Sequence, residues 1–98
     1  MRSTTLFSQL LGRFRECVRE NNYIVTLHAD EEMDEDELSI YDVERAILTG
    51  SIIERQKDTE GREWKYLVEG QTIQGDEIVV VVKAGPTGKM LIITVFRE

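Results

Sequence analysis

From Thr4 to Glu20 the apolar residues Leu6, Phe7, Leu10, Leu11, Phe14, Cys17 and Val18 recur at the i, i+3, i+4, i+7 spacing of an amphipathic helix. Ser3 is the predicted N-cap, and Asn21-Asn22 ends the pattern. Arg13, Arg15, Arg19 and Glu20 fall on the outer face. Tyr23 to Leu27 leans towards β by composition and reads as an entry strand or an extended linker. A short second helix follows, with Ala29 and Met33 four residues apart on its inner side and carboxylates elsewhere. Ser39 opens a third helix: as N-cap, with Asp42 at N3, it resembles a capping box, and Leu38 and Val43 occupy the staple positions around it. Val43, Ala46 and Ile47 form the buried stripe, and Gly50 is predicted to stop the helix as a left-handed residue.

Beyond Gly50 the period changes to that of strands. Residues 51–56, 63–69, 77–83 and 90–96 are rich in Ile, Val, Tyr, Trp and Thr, and hairpin-sized connections separate them. Helices followed by strands predict an α+β domain, in which N-terminal helices pack on a four- to five-stranded antiparallel β-meander. Strict alternation puts Ile78, Val80 and Val82 on one face and Val79, Val81 and Lys83 on the other. It likewise sets Leu91, Ile93 and Val95 against Ile92, Thr94 and Phe96. Both faces are then largely apolar, so the side without helices is expected to be covered or to form a groove. Trp64, Tyr66 and Val68 are expected to point into the core. No repeat or linker divides the chain, which reads as one domain over 1–98, with residues 1–22 the amphipathic helix and 23–98 the α+β core.

Charge changes the picture at one place. Seven of the 19 acidic residues lie between Asp30 and Glu37, and the remaining 12 match the 12 Lys and Arg, so the net charge of −7 belongs to this segment. Such a balance argues against indiscriminate binding of nucleic acid, whose affinity comes from lysines and arginines on phosphates. Asp30, Glu31 and Glu32 suit a helix N-terminus, whereas Asp34 to Glu37 oppose the dipole, so the helix should be short. There is no apolar run of about 18 residues and no secretory signal, so a cytoplasmic, membrane-free protein is expected. The single Cys17 reads as a small buried hydrophobe. So small a core leaves pairing with a second copy open.

His28 stands immediately before the acidic run and is the only histidine, the side chain that most readily exchanges a proton near neutral pH. With Glu31 and Glu32 it has the spacing of a hard-metal site, but no second histidine or cysteine completes a zinc site and no EF-hand pattern is present. No metal or cofactor is expected. No Walker loop, GxGxxG or triad signature appears. Metal-free cleavage of RNA needs a proton acceptor, a proton donor and a cation for phosphate. His28 and Tyr66 or Thr94 are the residue types for the chemistry and orientation, and Arg55, Lys65 and Lys83 are those for the phosphate.

Ile24-Val25-Thr26-Leu27-His28-Ala29, Met33, Leu38-Ser39, Val43 to Gly50, Ile52-Ile53-Glu54 and Ile93-Thr94-Val95-Phe96 together resemble the bacterial domain-of-unknown-function 4258 family, over about three quarters of the chain. Members of that family look like small ribonuclease toxins of the RelE and BrnT type. The resemblance therefore implies a RelE-like fold, a candidate site near His28 and the last strand, and an antitoxin-like protein partner. The positions at which the family carries arginine fall on Glu32 and Asp36, and its glycine falls on Glu37. Reversed charge at those positions repels phosphate.

Two functions follow from different classes. One is a non-catalytic module that binds a basic or antitoxin-like protein through Glu31, Glu32, Asp34, Glu35 and Asp36 and the half-covered sheet. The other is a metal-independent endoribonuclease or RNA-binding toxin using the residues named above.

Overall fold

The computed structural model describes residues 4–98, with side chains from Phe7 onward. Helix α1 spans Thr4–Arg19, and Leu11, Phe14 and Val18 bury its stripe. The Ser3 cap lies outside the described residues. Strand β1 (Tyr23–Val25) leads into α2 (Leu27–Glu35) and α3 (Ile40–Thr49). Strands β2 (Ser51–Lys57), β3 (Trp64–Gln71), β4 (Glu77–Ala84) and β5 (Met90–Arg97) complete an α+β architecture.

The sheet runs β1-β5-β4-β3-β2 and is mixed, which corrects the expectation of a purely antiparallel meander. Strands β2 to β5 form the meander, but β1 pairs parallel to β5, with Tyr23 opposite Met90 and Val25 opposite Ile92. A parallel neighbour needs a long crossover, which the whole stretch from α2 to β4 supplies. The three helices pack on one face, where Val68, Ile78, Val80, Val82, Ile92 and Val95 are fully excluded from water. Tyr66 joins them against Phe7 and Phe14, with ring centroids 6.3 and 5.8 Å away.

A bulge at Ile93 overturns the strict alternation expected in β5: Val82 faces Ile92, whereas Val81 faces Thr94. One extra residue flips everything after it. Met90, Ile92 and Val95 therefore face the helices, and Leu91, Thr94 and Phe96 face away.

Two helix ends also differ from expectation. Gly50 is extended (φ −93°, ψ −162°) rather than left-handed, and a Cβ there would collide with the carbonyl oxygens of Glu69 and Ala46. The glycine is needed because α3 touches β3, not because of its dihedral. The left-handed stop belongs to α2, where Glu37 has φ 58°. Leu38 N–H donates to the Met33 carbonyl at 2.8 Å and Glu37 N–H to that of Asp34 at 3.2 Å, a Schellman motif. Arg15, expected on the outer face, instead caps α3 through Nε to the Ile47 carbonyl (3.0 Å) and Nη2 to that of Gly50 (2.8 Å). Cys17 is half-buried rather than enclosed, and its thiol donates to the Gly88 carbonyl. Burial pushes that thiol above its ordinary pKa, which keeps it protonated and unreactive.

Candidate functional site

Thr26 starts α2 by accepting a hydrogen bond from Ala29 N–H at 3.2 Å, which places His28 in the first turn. Its Nε2 lies 3.2 Å from Glu32 Oε2, the i, i+4 distance of one helix turn, and its side chain is 66% exposed. The other carboxylate oxygen of Glu32 accepts a hydrogen bond from Val95 N–H at 2.9 Å. This bond has a topological cause. Strand β1 stops at Val25, so the outer edge of β5 beyond Ile92 has no strand beside it, and α2 satisfies the exposed backbone groups instead. Thr26 N–H donates to the Ile92 carbonyl (3.0 Å) and Thr26 Oγ1 to that of Ile93 (3.2 Å), while Glu32 takes the next amide. Glu32 thus holds the helix to the sheet and orients the imidazole.

The other residues named for acid–base chemistry are dispersed. Tyr66 pairs with Val82 and is buried on the helix-covered face, whereas Thr94 pairs with Val81 and points to the opposite one. Lys65 and Lys83 share the face of Thr94. Lys83 is engaged with Glu63 at 2.7 Å and Asp58 at 4.0 Å, and its hydrogen bond to Glu63 raises its pKa. Arg55 lies on edge strand β2, stacked 4.0 Å over Trp64 with Lys57 at 4.4 Å beside it. Three strand spacings, about 14 Å, separate β2 from β5. Of the sequence-predicted residues, the fold brings together His28 and Glu32.

The acidic set divides. Glu31, Asp34 and Glu35 are exposed, together with Asp30 and Glu37, and none of the five forms an ion pair with Lys or Arg among the described residues. Glu32 and Asp36 are half-buried, and the Asp36 carbonyl accepts from Arg97 Nε and Nη2 at 3.2 and 2.9 Å. A second acidic group escaped sequence reasoning. Glu69, Glu77 and Glu98 bring their carboxylate oxygens within 4.8 Å of one another. Hydrogen bonding to Glu69, with burial and mutual repulsion, pushes the Glu98 carboxyl above its ordinary pKa. These glutamates stand on or beside three different strands, so only the strand register reveals them.

The chain matches the family profile described as Domain of unknown function (DUF4258) over residues 25–97. It belongs to that family. The DUF4258 match begins at the last residue of β1 and takes in α2, α3 and β2 to β5, hence His28 and, of the carboxylate trio, Glu69 and Glu77, and leaves α1 and Glu98 outside. No curated protein and no solved structure matches the chain. Among the described residues, no helix is long and apolar enough to cross a membrane.

Proposed function

We propose that this DUF4258 domain is a cytoplasmic, non-catalytic protein-interaction module that binds a basic partner, built on a RelE-like, ribonuclease-toxin type of fold. The observation that carries the reading is the outer face of α2 and the turn after it, where five exposed carboxylates stand without a Lys or Arg partner among the described residues and hold most of the molecule's net charge. Such a surface attracts a cationic protein from a distance and aligns it on approach, and the attraction weakens with salt. Helices layered on one side of a sheet support the fold assignment, and the reversed charges at Glu32 and Asp36 support a role other than gripping phosphate.

The test is to produce the full chain together with the basic or antitoxin-like protein encoded beside its gene. A one-to-one complex should form at low salt, dissociate as salt is raised, and fail to form when Asp30, Glu31, Asp34 and Glu35 become Asn or Gln. An unchanged complex in that variant would overturn the reading.

One observation favours the ribonuclease reading: Glu32 orients an exposed imidazole, as a general acid–base would require. Tyr66 and Arg55, which that chemistry would want beside His28, lie on the other face from Thr94 and at the far edge of the sheet. Cleavage of a mixed RNA pool without added metal, abolished by His28→Ala, would establish this alternative and displace the interaction module.

A further inference from the structure

The face of the sheet turned away from the helices is composed for burial but has no layer over it among the described residues. Strand pairing arranges it in rows. Ile24, Leu91 and Lys83 form the first, Thr94, Val81, Leu67 and Glu54 the second, and Phe96, Val79 and Glu69 the third. Val79 and Val81 are screened by their cross-strand neighbours, while Phe96 is 39% and Ile24 48% exposed. A contiguous apolar surface of this kind marks an interaction site on a small protein.

The ends of the patch differ in charge. Glu69 in the third row and Glu77 and Glu98 beyond it stand together, and none of them has a Lys or Arg partner among the described residues. At the opposite end Lys83 is already neutralised by Glu63 and Asp58. The face is therefore apolar in its middle and anionic at one end, where three carboxylates repel one another until cations arrive.

Area and charge together select the occupant. Strands β2 to β5, about 4.8 Å apart and each contributing about seven residues at about 3.3 Å, make a patch on the order of 450 Å². A stable interface between two copies takes about 800 Å² from each partner. A helix about 10 Å across and about 15 residues long spans the patch from edge to edge and covers about half its area. A second copy would also bring the same acidic end and another net charge of −7.

We propose that this open face is the docking surface for an amphipathic helix of a partner protein. Its apolar stripe lies over Leu67, Val81, Thr94 and Phe96, and its lysines or arginines reach Glu69, Glu77 and Glu98. The proposal rests on the protein-interaction reading, but it locates the apolar anchor on a surface distinct from α2. Leucines at i, i+3, i+4 and i+7 supply the contact, and cations in the last turn supply the orientation.

The probe is a synthetic helical peptide of about 16 residues with that leucine stripe and a lysine-rich last turn, alongside a counterpart carrying glutamate in place of lysine. Titrated into the isotope-labelled full chain, the lysine peptide should shift the amide resonances of Leu67, Val79, Val81, Thr94 and Phe96. Its affinity should fall about tenfold or more in the Ile24→Ser/Phe96→Ser double variant and in the Glu69→Gln/Glu77→Gln/Glu98→Gln triple variant. The glutamate peptide should bind about tenfold more weakly than the lysine peptide. A thermal melt of each variant confirms folding. The quadruple α2 variant should retain affinity within about threefold, which separates this surface from the acidic helix.

Shifts confined to residues 28–37 would overturn the open-face proposal while leaving the acidic-helix reading intact. Absence of binding up to about 1 mM, a level already weak for any specific contact, would overturn it as well. So would self-association of the free chain through these same residues, because the occupant would then be a second copy. Peptide binding to the open face, combined with a basic-partner complex that survives the α2 substitutions, would instead remove the role of α2 alone.

Discussion

Ile92 and Leu91 are neighbours on β5 and similar in size, yet Ile92 is fully buried among the helices whereas Leu91 is half-exposed on the opposite face. The same contrast runs along the strand pairs. Val80 faces Val95 within the helix-covered core, while Val79 on the other face pairs with the exposed Phe96. An antiparallel sheet covered on one side ordinarily alternates apolar and polar residues. This one is apolar on both faces, so the open face carries hydrophobic surface that folding of the described chain does not enclose. The two faces should therefore answer differently to the same truncation: one through stability, the other through binding.

The largest expected effect lies on the covered face. Ile92→Ala should lower the unfolding free energy by about 3 kcal/mol, the lost transfer energy plus a cavity that the packed layer cannot collapse. Leu91→Ala should cost less than about 1 kcal/mol, because its side chain is only partly withdrawn from water. Urea denaturation of the two variants at the same protein concentration measures the difference. Equal losses would break the comparison, since they would mean that the open face is covered in solution.

That β5 is largely apolar on both faces was legible in the sequence, but which residues lie on which was not. Periodicity locates Met90 to Phe96 as a strand, and nothing in it announces the extra residue at Ile93 that reverses the phase of Thr94, Val95 and Phe96. The capping box of α3 is a local arrangement of Ser39 and Asp42 and could be read directly. The need for glycine at Gly50 is not local in this way, because it is tertiary: room for the carbonyls of Glu69 and Ala46. The site divides in the same manner. His28 and Glu32 are one helix turn apart, so their meeting follows from spacing alone. The dispersal of Tyr66, Thr94 and Arg55 depends on register, and so does the assembly of Glu69, Glu77 and Glu98.

A smaller effect concerns what keeps the covering layer in place. Asp42 accepts hydrogen bonds from Ser39 N–H at 3.0 Å and from Ile73 N–H at 3.0 Å, tying the start of α3 to the β3–β4 hairpin. The Ser39 amide is the main reason its carboxyl lies below the usual carboxylate pKa, with partial burial opposing. Because the folded value is depressed, the contribution is complete above the unfolded pKa of about 3.9 and is lost as pH falls through the folded value. Asp42→Asn should cost about 1 kcal/mol at neutral pH. The gap between variant and parent should close as denaturation is repeated at progressively lower pH below about 4. A gap that persists in acid would mean that the carboxylate charge contributes nothing to holding α3.

The smallest effect belongs to the open face and has the opposite sign. Hydrogen bonding to Glu69 and repulsion within the trio raise the Glu98 carboxyl above its ordinary value. A raised folded pKa means that the charged form is the strained one, so its penalty is absent at low pH and appears as pH rises through the folded value. Glu98→Gln should therefore raise the melting temperature slightly at pH 7, with no gain below about pH 4 and less gain in high salt. On the covered face a removed group lowers stability; here removal raises it, because nothing in the described chain neutralises the cluster. Saturating lysine peptide should erase the advantage of the Gln variant, since the cations that relieve Glu98 in the parent have less to relieve in the variant. A melting-temperature difference that the peptide leaves unchanged would separate the repulsion at this end of the sheet from any role in docking.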